Sequence, residues 1–307
     1  MSFRWKAQKN ARKNLRRLAS NQLRAAIDEL VAPFADRADA IHDARLHLKK
    51  TRALVRLAWP ADPDACRQEN AALRDIARAL STQRDRQAMI DAVDKLLRHA
   101  EREWGESTKH LEAFRGLRSR FIECQQQESN GTDFESLVHR VVEQLRHAVD
   151  RVEKWASAVD DDDFISDGFA QSYRRGKRVL RAVQADPTPE NLHEWRKQIK
   201  YHRYQVRLYQ DAWPAIIEAH YQELKRLSDL LGDDHDLVVL EQSLKDCHLP
   251  ELDEGTLAEL VHLVMRRRCE LQAEALPPGL LLFAEKPKRL TRRFALYWQT
   301  HREVGDH

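Results

Sequence analysis

The chain has 307 residues, enough for two ordinary domains or for one fold built of two halves. Nine glycines and ten prolines leave few turns, while 33% charged and 42% hydrophobic residues suit long helices packed around a core. A net charge of +3 excludes a uniformly basic protein, and a mean hydropathy of −0.69 with no apolar run near the ~18 residues of a spanning helix argues against a membrane span.

Helical periodicity runs along the whole chain, with no alternating strand pattern of useful length. A basic amphipathic helix is expected over residues 4–31, ending before Pro33. No acidic residue precedes Asp28, yet that stretch holds Arg4, Lys6, Lys9, Arg12, Lys13, Arg16, Arg17 and Arg24. A second helix is expected over 38–59, stopped by Pro60 and Pro63, and further ones over 64–80, 84–104, 107–127 and 134–158. Residues 160–168 open with four consecutive acids, Asp160 to Asp163, and read as a linker, its core 161–168. Helices then follow over 169–184 and 190–209, the latter capped by Thr188 with Pro189 at its first position. Gly232 reads as the end of a helix over 221–231. Helices over 234–247, 254–274 and 280–302 complete an all-α chain. The four cysteines (Cys66, Cys124, Cys247, Cys269) form no CxxC pair, and no apolar stretch follows the basic N-terminus. A cytoplasmic protein is expected.

The chain repeats itself. Residues 42–58 read HDARLHLKKTRALVRLA and residues 193–209 read HEWRKQIKYHRYQVRLY, identical at seven of seventeen positions without a gap. The same offset pairs Arg24 with Arg175, Pro63 with Pro214, Leu73 with Leu224 and Asp85 with Asp236. The expectation is two pseudo-symmetric halves, 1–160 and 169–307. In each copy a histidine and four cations fall at i, i+3, i+7, i+10 and i+14: His42, Arg45, Lys49, Arg52 and Arg56, then His193, Arg196, Lys200, Arg203 and Arg207. At 100° per residue these five share a sector of about 80°, along a rise of roughly 21 Å. Like charges so stacked repel, and neither helix places a carboxylate within the stripe. Such a face is organised for an external anion.

Several segments resemble the CHAD domain, the conserved histidine α-helical domain. They are IHDARLHLKKTRALVRL (41–57), SYRRGKRVLRA (172–182), LHEWRKQIKYHRYQVRLY (192–209) and LSDLLGDDHDLVVL (227–240), in the family's order. The resemblance implies two pseudo-symmetric four-helix bundles around a basic central cleft, binding inorganic polyphosphate without catalysis, cofactor or metal, free or on storage granules. Carried over by position, the stripe residues would line the cleft together with Lys50 and Lys197. Tyr173, Arg174, Arg175, Lys177 and Arg178 match the basic helix before the second histidine, and Arg24 is the weaker first-half partner. Position 50 breaks the repeat, because its counterpart is Tyr201. The chain lacks the ExExK strand of a triphosphate tunnel domain.

Two other chemistries compete. His42-Asp43 and the run Asp233-Asp234-His235-Asp236 raise a metal-dependent phosphohydrolase. His193-Glu194-Trp195-Arg196-Lys197 fails the HExxH pattern, because Lys197 stands where the second histidine belongs. Nucleic acid would suit the cations, with Trp195, Tyr201, Tyr204 and Tyr209 as stacking rings, although such rings at helical spacing more often pack a core.

Overall fold

A computed structural model of the chain describes residues 2–32, 37–80, 82–104, 108–128, 134–155, 163–246 and 254–305. Every regular element among them is helical: α1 (Ala11–Val31), α2 (Arg37–Ala58), α3 (Pro63–Ala79), α4 (Thr82–His99), α5 (Thr108–Glu128), α6 (Phe134–Val152), α7 (Asp163–Ala185), α8 (Pro189–Arg207), α9 (Pro214–Asp246), α10 (Glu254–Leu282) and α11 (Pro287–Gly305). α4 runs on into a wider π-type turn over Ala100–Trp104. No helix among the described residues is long and apolar enough to cross a membrane.

The helices form two compact units. The first unit comprises Met1–Leu80, Phe134–Ser228 and Gly279–His307; the second comprises Ser81–Asp133 and Asp229–Pro278. Apolar side chains are the reason. In the second unit Val93, Leu96 and Phe114 from the first half of the chain share one core with Leu237, Leu240, Leu260 and Val264. Where the stretch read as a linker is described it is helical: Asp163 to Gly168 form the start of α7, and Gly168 lies against α2. Residues 161 and 162 lie outside the described residues.

Helix α2 is central to the first unit and packs against α1, α3, α7 and α8. Ten of its residues are buried, among them Ile41, Leu48, Leu54, Val55 and Leu57, so only a narrow face remains for charge. α1 also packs against α6, and α7 against α8 and α11. Arg151 of α6 forks onto Glu69 of α3 at 2.7 and 3.2 Å, which satisfies a carboxylate only 5% exposed.

Three boundaries differ from expectation. α1 starts at Ala11, because the Asn10 side chain accepts from Lys13 N at 2.9 Å and caps it. Upstream, Asn14 accepts from Lys6 N and donates to the Lys6 and Lys9 carbonyls, each at 2.9 Å, which folds the segment into a compact turn. α9 passes through Gly232, which is buried inside it, so this glycine ends no helix. α10 continues through Pro277 and Pro278, and Gly279 then meets the Trp195 ring; a Cβ there would sit 2.4 Å from the indole. The Thr188 cap forms as read, its hydroxyl accepting from Asn191 N at 3.2 Å.

Candidate functional site

The two copies of the repeated helix, α2 and α8, lie side by side in the first unit. Their cations converge. The Arg56 guanidinium of α2 sits 4.0 Å from the centre of the Tyr201 ring of α8, and that of Arg52 lies 5.8 Å away. Lys50 of α2 is held below its usual lysine range by burial first, with Arg203 and Arg207 of α8 adding to the depression against Asp43. Arg52 is likewise lowered, by burial and then by Arg56, Arg74 and Arg78, with the Tyr201 hydroxyl opposing. These shifts report one crowded positive field.

Aromatic rings space the cations. Arg203 lies 4.9 Å over Tyr204, donates to its hydroxyl at 3.1 Å, and is 5.9 Å from the Tyr221 ring of α9. Arg207 lies 5.0 Å over the same Tyr221. Among the described residues the Nε donors of Arg56 and Arg203 are buried and have no hydrogen-bond partner. A buried donor without an acceptor carries a desolvation cost, and an incoming anion would relieve it.

A cavity of about 340 Å³ opens beside Arg56 between α2 and α7. Its lining is Arg56, Trp59, Gln171, Ser172, Arg174, Arg175 and Arg178, four cations and no acid. Arg174 and Arg178 are exposed, with no hydrogen bond or ion pair among the described residues. Arg175 reaches Glu194 of α8 at 3.2 Å. Glu194 also holds Lys197 at 2.5 Å and accepts from Gln198 at 2.6 Å. Together these cations keep its carboxyl below the usual range against the effect of burial.

The remaining expected residues divide. His42 is exposed at the start of α2, Lys49 is half-buried further along it, and Arg196 and Lys200 are half-buried on α8. His193 is half-buried and its pKa is lowered, chiefly by burial and then by Lys197 and Arg196. Arg45 donates to the Ala77 carbonyl at 3.1 Å and so helps close the end of α3, while Arg52 donates to Asn70 at 3.1 Å. Arg24 is exposed on α1.

Three expectations need correction. Tyr173 is fully buried and donates to the Leu282 carbonyl at 3.1 Å, so it belongs to the core rather than to a ligand face. Lys177 donates to the Ala284 and Glu285 carbonyls, both at 3.0 Å, and ties α7 to the chain after α10. The stripe is not free of counter-charge, since Glu218 of α9 pairs with Arg207 at 2.5 Å. The sequence reading also missed contributors. Arg74 and Arg78 of α3 belong to the field around Arg52, and Tyr201 carries the arginines. The break in the repeat at Lys50 and Tyr201 was the signal for the last.

The acidic run is engaged elsewhere. Asp234 is 2% exposed and accepts from Arg268 at 3.4 Å and Gln272 at 2.8 Å, and Asp233 pairs with Lys95 at 2.6 Å. Among the described residues no three histidine, cysteine or acidic side chains converge as a metal-ligand set. Trp195, Tyr201, Tyr204 and Tyr209 are all buried, at 1 to 6% exposure, as core packing requires.

No curated protein matches the chain. The family model of the CHAD domain matches residues 14–245, a span that takes in α2, α7, α8 and the acidic run of α9. The chain therefore belongs to the CHAD domain family.

Proposed function

We propose that this protein binds inorganic polyphosphate, or a similar linear polyanion, on the joined basic faces of α2 and α8 and performs no chemistry on it. The observation that carries this reading is the convergence of Arg52 and Arg56 with the α8 cations around Tyr201, continued by the four-arginine cavity. Polyphosphate presents about one negative charge per phosphate at short, regular intervals, and guanidinium forks bridge such oxygens. The buried Nε donors of Arg56 and Arg203 would gain the acceptors they lack. Because Trp195, Tyr201, Tyr204 and Tyr209 are buried, they offer little surface for bases, which favours a ligand made of phosphate alone. On this reading the protein works in the cytoplasm, on free or granule-held polyphosphate.

The test is a competition titration of long-chain polyphosphate, RNA and orthophosphate at two salt concentrations, with and without EDTA. Polyphosphate should win, its affinity should fall steeply with salt, EDTA should change nothing, and no phosphate should be released over time. Equal affinity for RNA would make the site a general polyanion surface, and phosphate release or EDTA sensitivity would make the protein a metal-dependent enzyme. Arg56→Gln with Arg203→Gln should lower affinity about tenfold and reduce the logarithmic salt slope by about 1.4, on the scale of 0.7 per single-strand phosphate contact.

A further inference from the structure

The second unit has a cavity of its own, of about 360 Å³, where α4, α9 and α10 converge. It shares no residue with the α2–α8 site. Its floor is apolar: Ala92, Leu96, Leu237 and Leu271 are each 1 to 4% exposed. Its rim is charged, with Lys95, Arg98, Arg102 and Arg267 facing Asp233 and Asp236.

Two of these cations are already compensated. Lys95 is held by Asp233 at 2.6 Å, and Arg267 by Glu270 at 2.9 Å. His99 is fixed in the same corner, its Nε2 lying 2.8 Å from Glu270 and 3.2 Å from Arg267. Arg98 and Arg102 differ. Both are exposed, and neither has a hydrogen bond or ion pair among the described residues.

Floor and rim ask for different things. A bare inorganic anion would meet the arginines but leave the leucines uncovered. A neutral apolar solute would cover the leucines and make no use of the arginines. A molecule with an acidic head and an apolar body satisfies both, as small-ligand sites commonly require. We propose that this cavity binds a small organic anion, its phosphate or carboxylate head held by Arg98 and Arg102 and its apolar body lying on Leu96, Leu237 and Leu271.

The experiment is a titration of the full chain with phenyl phosphate, benzoate, orthophosphate and benzyl alcohol, followed by ligand-observed NMR. Phenyl phosphate or benzoate should bind about tenfold or more tightly than orthophosphate and benzyl alcohol, because only they use both floor and rim. The tighter of the two names the head group. The double variant Arg98→Ala with Arg102→Ala should lose about tenfold for the organic anion while its polyphosphate affinity and its helical circular dichroism stay unchanged. Orthophosphate binding as tightly as the organic anions would overturn the proposal, as would organic-anion binding that the double variant leaves intact. An equal fall in polyphosphate affinity would assign these arginines to the polyphosphate surface instead.

Discussion

At the scale of single residues, Tyr201 decides how the two copies of the repeat differ. It occupies the register that Lys50 holds in the first copy, so a ring replaces a fifth cation. That ring lies under Arg56 at 4.0 Å and near Arg52 at 5.8 Å. A cation on an aromatic face is attracted by roughly 0.5–2 kcal/mol, and it is held in place without its charge being cancelled. A carboxylate would hold the arginine too, but would neutralise it. Tyr201→Leu should therefore weaken polyphosphate binding about tenfold or less, because the arginines stay but lose their aim, whereas Tyr201→Phe should bind like the parent. Equal losses in both variants would show that the hydroxyl acts and the ring face does not. The stripe was legible because helical spacing alone puts i, i+3, i+7, i+10 and i+14 on one face. Tyr173 and Lys177 were misplaced because their partners, the carbonyls of Leu282, Ala284 and Glu285, are more than a hundred residues away. No local pattern in the sequence announces such partners.

At the scale of elements, the close seating of α7 on α2 shapes the arginine cavity. Gly168 makes it possible: a Cβ there would stand 2.2 Å from the Leu57 carbonyl oxygen, and backbone cannot swing aside as a flexible side chain can. Gly168→Ala should destabilise the protein by about 1–3 kcal/mol and push α7 away from Arg56. Thermal denaturation reads the first effect, and a polyphosphate titration at a temperature where the variant is folded reads the second. A variant as stable as the parent would mean that the two backbones are not in contact at this point. The same glycine was read as the end of a linker, because acids followed by glycine look like a break. Gly232 misled in the same way. Glycine costs only about 1 kcal/mol in a helix interior relative to alanine, and tertiary burial outweighs that. Helix type was thus readable from periodicity, while breaks inferred from single residues depended on packing that one sequence does not display.

At the scale of the molecule, the first unit carries a titratable flaw in its core. His202 is fully buried among Phe169, Tyr173 and Phe283, with ring centres 5.2 to 5.8 Å away, and neither of its nitrogens has a hydrogen-bond partner among the described residues. His220 of α9 lies edge-on to it at 5.8 Å, facing Arg293 and Glu285. Burial, with Arg293 adding and Glu285 opposing, pushes His220 down to about 4; burial, helped by His220, puts His202 well below the usual histidine value. Both are therefore neutral in the folded protein where the unfolded chain would already be protonated. Between pH 6.5 and about 4 the unfolded state binds more protons, so stability is full above that window and is lost as pH falls through it. A duplicated polyanion site does not require this. The second copy places His202 where the first has Thr51, but the first copy carries a histidine of the same kind, since burial, with Lys50 adding and Asp43 opposing, pushes His47 of α2 down to about 4. A melting temperature followed across that window should fall by about 5 °C or more, and His202→Phe, which keeps a ring and removes the titration, should flatten part of the fall. The slope should persist at high salt, because it arises from desolvation of a buried ring rather than from repulsion among exposed cations. Raising the salt separates the two causes: a slope that salt abolishes would trace acid sensitivity to the arginine field, one that survives would trace it to the buried histidines, and the part of it that His202→Phe removes belongs to the pair rather than to His47.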